Sequence, residues 1–165
     1  MRNLFILLFT SIILISCESD DYFNIGVFHA KQKNYETAVA YFSKAIEKNP
    51  GDAEAYYLRA YCQQSIGGKE KQVISDYTKS LEYNPNDHEA YMNRGIEKTA
   101  IGQISEAIED YEKSIAINPN EPVAYANLGN AYELKSDKEK ACEHWNKALN
   151  LGYEKVRERI ELKCK

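Results

Sequence analysis

The stretch Tyr91–Pro119, YMNRGIEKTAIGQISEAIEDYEKSIAINP, decides how the rest of the chain is read. Its second half has apolar residues at Ile104, Ala107, Ile108, Tyr111, Ile115 and Ile117, which line up as one stripe along a helix. Its first half places Tyr91, Arg94-Gly95, Lys98 and Ile101 at helical spacing and ends near Gly102. Pro119 then stops the second helix, because it lacks an N–H and drives Asn118 out of the helical region. Two antiparallel helices of this length cannot bury both of their faces alone. The missing surface has to come from neighbours of the same kind.

The chain supplies those neighbours by repetition, with a period of about 34 residues. One aromatic row reads Tyr22, Tyr56, Tyr91 and Tyr125, and four residues later a small-residue row reads Gly26, Ala60, Gly95 and Gly129. A second aromatic row is Phe42, Tyr77, Tyr111 and Trp145. It is preceded by Ala38, Val73, Ala107 and Ala141 and followed by Ala45, Ser80, Ser114 and Ala148. Asn-Pro recurs as Asn49-Pro50, Asn84-Pro85 and Asn118-Pro119. Small residues let helices approach closely while each large ring fills the gap beside them. After the fourth cycle Leu151-Gly152 reads as a helix C-cap. Glu154 to Cys164 then forms one more helix, with Val156, Ile160 and Cys164 on its inner face and Lys155, Arg157, Glu158, Arg159 and Glu161 toward water. An end helix with a polar outer face is what a repeat stack needs.

These residues resemble the tetratricopeptide repeat (TPR), whose pattern is W-x₂-L-G-x₂-Y…A-x₃-F…P. The first cycle gives Tyr22-x₂-Ile25-Gly26…Ala38-x₃-Phe42…Pro50, and the fourth gives Tyr125-x₂-Leu128-Gly129-x₂-Tyr132…Ala141-x₃-Trp145. The second cycle departs at Ala60, at Val73 and by one extra residue near Gly67-Gly68, and the fourth has Tyr153 where proline would fall. The resemblance implies an all-α, right-handed superhelical solenoid. It would hold four helix-turn-helix repeats over 22–152 (about 19–52, 53–87, 88–121 and 122–155) and a capping helix over 153–165.

The resemblance also implies that first helices line a concave groove that receives a partner segment. The lining maps onto Phe23 and Val27, Tyr57 and Tyr61, Met92 and Ile96, then Ala126 and Asn130. Some TPRs hold acidic C-terminal tails of chaperones with lysines and asparagines in this lining. The matching positions here are Phe23, Val27, Leu58, Glu89 and Asn93, and only Asn93 fits. The expected ligand is instead a hydrophobic helix or extended segment of another protein.

Residues 1–16 read as a leader: Arg2, an apolar run from Leu4 to Ile15, then Ser16. The run is too short to span a bilayer as a helix, which needs about 20 apolar residues, and it has the form of a signal peptide. Leu14-Ile15-Ser16-Cys17 resembles the bacterial lipobox, which implies cleavage before Cys17 and acylation of that residue. Residues 17–21 would then be the lipidated end and a short tether. Glu18-Ser19-Asp20-Asp21-Tyr22-Phe23 resembles an acidic surface-export signal, and Ser19, Asp20 and Asp21 also suit a helix N-cap. The expected location is the bacterial outer membrane as a lipoprotein, and either face of that membrane fits.

Composition narrows the chemistry. The chain is 44% hydrophobic and 28% charged, with eight glycines and four prolines, as a folded chain should be. Its thirteen tyrosines against five phenylalanines suit rings buried at helix junctions with hydroxyls reaching water. Lys and Arg number 21 against 25 Asp and Glu, with no basic stripe, so nucleic acid is not an expected partner. The acidic residues, scattered beside lysines, read as solvated helix faces. His29, His88 and His144 lie in different cycles with no ligand at metal-binding spacing, so no metal, cofactor or catalytic residue is expected. Cys62 reads as a small buried hydrophobe. Cys142 and Cys164 flank the Gly152-Tyr153 turn, which brings them near each other as a disulfide or as two thiols. The leading function is thus a non-catalytic protein–protein scaffold or assembly factor in the cell envelope, and the second is a lipoprotein capturing glycans or peptides. The oligomeric state is left open.

Overall fold

Helices follow one another along the whole of the described chain, residues 21–165 of a computed structural model, with no strand among the described residues. The leader run, Ser16, Cys17 and Glu18 to Asp20 lie outside the described residues. After α1 over residues 21–31 come α2 Tyr35–Lys48, α3 Ala53–Ser65, α4 Glu70–Tyr83, α5 His88–Ala100, α6 Ile104–Ile117, α7 Pro122–Leu134 and α8 Lys138–Asn150. A 3₁₀ turn, Glu154–Val156, leads into α9, Arg157–Lys163. The all-α expectation holds. The chain divides into two compact units, the first ending at Pro85 and the second running from Asn86 to Lys165.

Many of the helix starts and stops have a local cause. The side chains of Asp52, Asp87, Glu121 and Asp137 accept hydrogen bonds from Ala55, Ala90, Val123 and Lys140 N–H, capping α3, α5, α7 and α8. Asn49, Asn84 and Asn118, each before a proline, are extended with φ −130°, −130° and −127°, and α2, α4 and α6 end there. Between paired helices the chain turns through a left-handed residue at Lys33, Gly67, Gly102 and Ser136, and again at Gly152. The following N–H reaches back five residues, as from Gln103 to the Lys98 carbonyl at 2.9 Å and from Tyr153 to that of Ala148 at 3.0 Å.

The core lies between a glycine or alanine of each first helix and a ring of the second. A Cβ added at Gly26 would lie 2.7 Å from the Phe42 ring, one at Gly95 2.7 Å from Tyr111, and one at Gly129 2.5 Å from Trp145. In the second repeat Ala60 and Tyr77 are both fully buried. Phe42, Tyr77, Tyr111 and Trp145 are among the largest fully buried side chains. Their polar tips are met: Tyr77 donates to Gln64 Oε1 at 3.1 Å, Tyr111 shares a hydrogen with Thr99 at 3.1 Å, and Trp145 donates to Asn130 Oδ1 at 3.0 Å. Burial pushes the Tyr111 hydroxyl up to about 12 and the Cys62 thiol up to about 11.

The structure corrects one reading of charge. Asp76 and Asp110 are buried, not part of solvated faces. Asp76 takes two hydrogen bonds from Arg59, each 2.7 Å, and Arg59 also donates to Ser43 at 3.2 Å. Asp110 takes 2.9 and 2.6 Å bonds from Arg94 and pairs with Lys98 at 2.7 Å. A buried carboxylate is tolerated because a two-pronged guanidinium satisfies it. The sequence signal was present: Arg59 and Arg94 hold one repeat position and Asp76 and Asp110 another.

Candidate protein-binding surfaces

In the first unit the lining residues expected on α1 and α3 are partly open: Phe23, Val27 and Tyr57 are half-buried and Tyr61 is exposed. Phe23 and Val27 are half-buried and pack on the cluster of Ala38, Phe42 and Cys62. The Phe23 ring stands 5.8 Å from Phe42, and the equivalent Tyr57 ring stands 5.7 Å from Tyr77. These rings are therefore shared between core and surface. Tyr61, one turn beyond Tyr57, is 43% exposed and meets Tyr35 of α2 edge to face at 6.5 Å. Sequence reasoning did not include Tyr35, since it opens a second helix and lies outside both aromatic rows.

In the second unit the corresponding residues are more occupied. Met92 is half-buried, and Ile96 packs against the cluster of Ala107, Ile108, Tyr111, Leu128 and Ala131. Ala126 is buried in the cluster of Ala141, Trp145, Ala148 and Val156. Asn130 accepts from both Trp145 and Arg159, so its carbonyl oxygen is already engaged. Arg159 is thus a correction: it does not simply face water but lies 5.4 Å from the Trp145 ring centroid, over its face. Lys163 of α9 pairs with Glu133 of α7. Cys142 and Cys164 are joined as a disulfide with Cα atoms 5.6 Å apart, tying α9 to α8. Cys62 is free and buried.

The first aromatic row behaves differently from the second. Tyr22, Tyr56, Tyr91 and Tyr125 are half-buried, with Lys44, Arg59, Arg94 and Lys147 respectively set against their faces at 5.5–5.8 Å. Tyr56 also stacks on Tyr83 at 6.2 Å. Two of these cations, Arg59 and Arg94, are the ones that neutralise the buried aspartates, so ring, guanidinium and carboxylate form one layer in the second and third repeats. His144 stacks on Tyr132 at 5.4 Å, and burial lowers its pKa. Among the described residues no group of three or more His, Cys, Asp or Glu could hold a metal ion, and no helix is long and apolar enough to cross a membrane.

Comparison with known proteins agrees with this geometry. An NADPH oxidase activator from Dictyostelium discoideum is 34% identical over 55 residues, which is 33% of this chain. The chain spans only 9% of that protein's length. A crystal structure of MamA is 24% identical and superposes with a TM-score of 0.78 over 90% of this chain and 86% of that one. A MamA structure from Desulfovibrio magneticus RS-1 is 23% identical, with a TM-score of 0.76 over 84% and 77%. The first TPR of Spaghetti (RPAP3), bound to the HSP90 peptide SRMEEVD, is 23% identical with a TM-score of 0.69 over 73% and 95%. Tetratricopeptide-repeat profiles match residues 19–52, 41–73 and 122–151, and a further TPR profile matches 97–136. With the glycine-to-ring contacts found in the first, third and fourth repeats, these matches identify the chain as a tetratricopeptide-repeat protein.

Proposed function

We propose that this chain is a non-catalytic scaffold that binds an apolar segment of another protein through the first-unit face of Phe23, Val27, Tyr57 and Tyr61. The observation that carries this reading is Tyr61, a large ring 43% exposed beside Tyr35 at a lining position. Rings shared between core and surface are held rigidly, so they lose little freedom on binding and make good anchors. Met92, Ile96 and Asn130 are the lining candidates of the second unit. The RPAP3 repeat is a TPR bound to a peptide, which supports peptide or protein capture as the mode. The acidic-tail ligand class is not carried over, because Phe23, Val27, Leu58 and Glu89 stand at four of the five clamp positions.

The scaffold would be held in the bacterial cell envelope, at the outer membrane, by acylation of Cys17. The lipobox-like Leu14-Ile15-Ser16-Cys17 supports this, and acyl chains contribute about 0.8 kcal/mol per buried methylene. Capture of a glycan or peptide by a surface lipoprotein is the second reading.

Two experiments test the proposal. A Tyr57→Ala, Tyr61→Ala double variant with unchanged helicity should lose the partner that wild type recovers from detergent-solubilised envelope. Unchanged recovery would move binding elsewhere. A Cys17→Ala variant should yield an unprocessed or soluble product. Normal mature size in the membrane fraction would reject the lipid anchor.

A further inference from the structure

We propose that the Cys142–Cys164 disulfide is a redox-sensitive latch that holds α9 over the fourth repeat, and that its reduction releases α9 while the helices beneath stay folded. Little besides the bridge holds α9. It is seven residues long and contains no fully buried residue, and so short a helix has no independent stability in water. Its apolar contribution is Ile160, half-buried against the cluster of Ala126, Ala141, Trp145, Ala148 and Val156. Leu162 is 74% exposed. An open groove of about 330 Å³ runs between Ala141, Trp145 and Glu133 on one side and Leu162 and Lys163 on the other, so that end of the cap is incompletely packed. The other ties are Arg159 over the Trp145 ring and to Asn130 and Glu133, and Lys163 to Glu133, with the Arg159 and Lys163 side chains about half exposed, at 43% and 54%. Exposed ion pairs of this kind hold weakly.

The sulfur bridge is the strong tie. It closes a loop of 22 residues in sequence and keeps α9 at high effective concentration on α7 and α8. Both cysteines are half-buried, within reach of a reductant. A dithiol would attack one sulfur as thiolate and form a mixed disulfide, and its second thiol would displace that sulfur. The reductant leaves as a cyclic disulfide, having given two electrons, and Cys142 and Cys164 each end as a thiol. Cys62 does not compete, since it is fully buried in the first unit. Release would uncover Trp145 and remove the Arg159 and Lys163 contacts to Asn130 and Glu133, so the redox state would decide whether the fourth repeat is covered or open.

Trp145 is the single tryptophan, buried beneath Arg159, and reports directly. With the full chain and dithiothreitol as reductant, Trp145 emission should shift to the red. Hydrogen exchange over 157–163 should rise at least about tenfold while α7 and α8 stay protected. Reoxidation should restore both signals. A Cys142→Ser, Cys164→Ser variant should behave as the reduced chain under either condition, and Cys62→Ser should respond like wild type. Unchanged emission and protection after reduction would overturn the proposal, because packing alone would then hold the cap. Loss of helicity well beyond α9, in the reduced chain or the double-serine variant, would overturn it too, by making the bridge a staple for the whole unit.

Discussion

Tyr61 and Asn130 hold the same place in the second and fourth repeats, yet their surroundings are opposite. Tyr61 offers its ring to solvent beside Tyr35, whereas Asn130 is tied to Trp145 and Arg159 under α9. The contrast extends to the two units. Among the described residues the well-exposed large aromatics, Phe28, Tyr61 and Tyr83, all belong to the first unit, while Ile117, Leu134 and Leu162 are the exposed large hydrophobics of the second. One repeat grid therefore carries exposed rings in the first unit and, in the second, a lining position closed by a covalently tied cap. What differs is not the helix-pair geometry but which side chain occupies the lining position and whether a helix covers it.

The largest expected effect separates the units by their buried charges. Asp110 balances Arg94 and Lys98, whereas Asp76 pairs with Arg59. Asp110→Ala removes the buried carboxylate that Arg94 and Lys98 share and should cost about 3–5 kcal/mol of stability, with Asp76→Ala, which removes one such pairing, costing less. Denaturant melts of both variants check this, and equal losses would dissolve the distinction. Next come the close approaches. Gly129→Leu or Gly95→Leu forces a side chain into Trp145 or Tyr111 and should cost about 1–3 kcal/mol. Leucine at exposed Glu109 should change stability by no more than about 0.5 kcal/mol.

A smaller gain is expected at the turns. Lys33 and Ser136 adopt φ 61°, where the equivalent Gly67 and Gly102 sit at no steric cost. Lys33→Gly and Ser136→Gly should each stabilise their own unit by about 0.5–1 kcal/mol, the relief of strain outweighing the added freedom of the unfolded chain. Thermal melts that show a loss at both positions would contradict the strain. The smallest effect concerns His144, whose folded pKa lies below its ordinary 6.5 because burial disfavours the charged ring. The unfolded chain then binds the proton more readily. The contribution of His144 is complete above the unfolded value and is lost as pH falls from there through the folded one. A His144→Phe variant should therefore lose less stability than wild type on acidification below about pH 6.5.

Much of this fold was legible in the sequence because repeats print a contact more than once. The Gly95 and Tyr111 positions recur as Gly26 with Phe42 and Gly129 with Trp145, so periodicity named the pairs that touch. Proline and glycine likewise marked the stops at Asn118 and Gly152. The buried Asp76 and Asp110 were missed although they recur in step with Arg59 and Arg94, since an aspartate reads as surface until the arginine on the preceding helix is recognised as its partner. Arg159 misled for a related reason: a long side chain can leave a polar face and cover a ring. Of the lining residues, sequence could name Tyr57 and Tyr61 but not apportion each ring between core and solvent, because that depends on Tyr77 and Tyr35.

On the proposed function a partner docks against the first-unit rings Tyr57 and Tyr61. A photo-crosslinking amino acid placed at Tyr61, in cells, tests it most directly, with the same residue at Glu109 as the control. One discrete protein adduct is expected from position 61, abolished by adding Tyr57→Ala, and none from position 109. Adducts from position 109 with none from position 61 would contradict it.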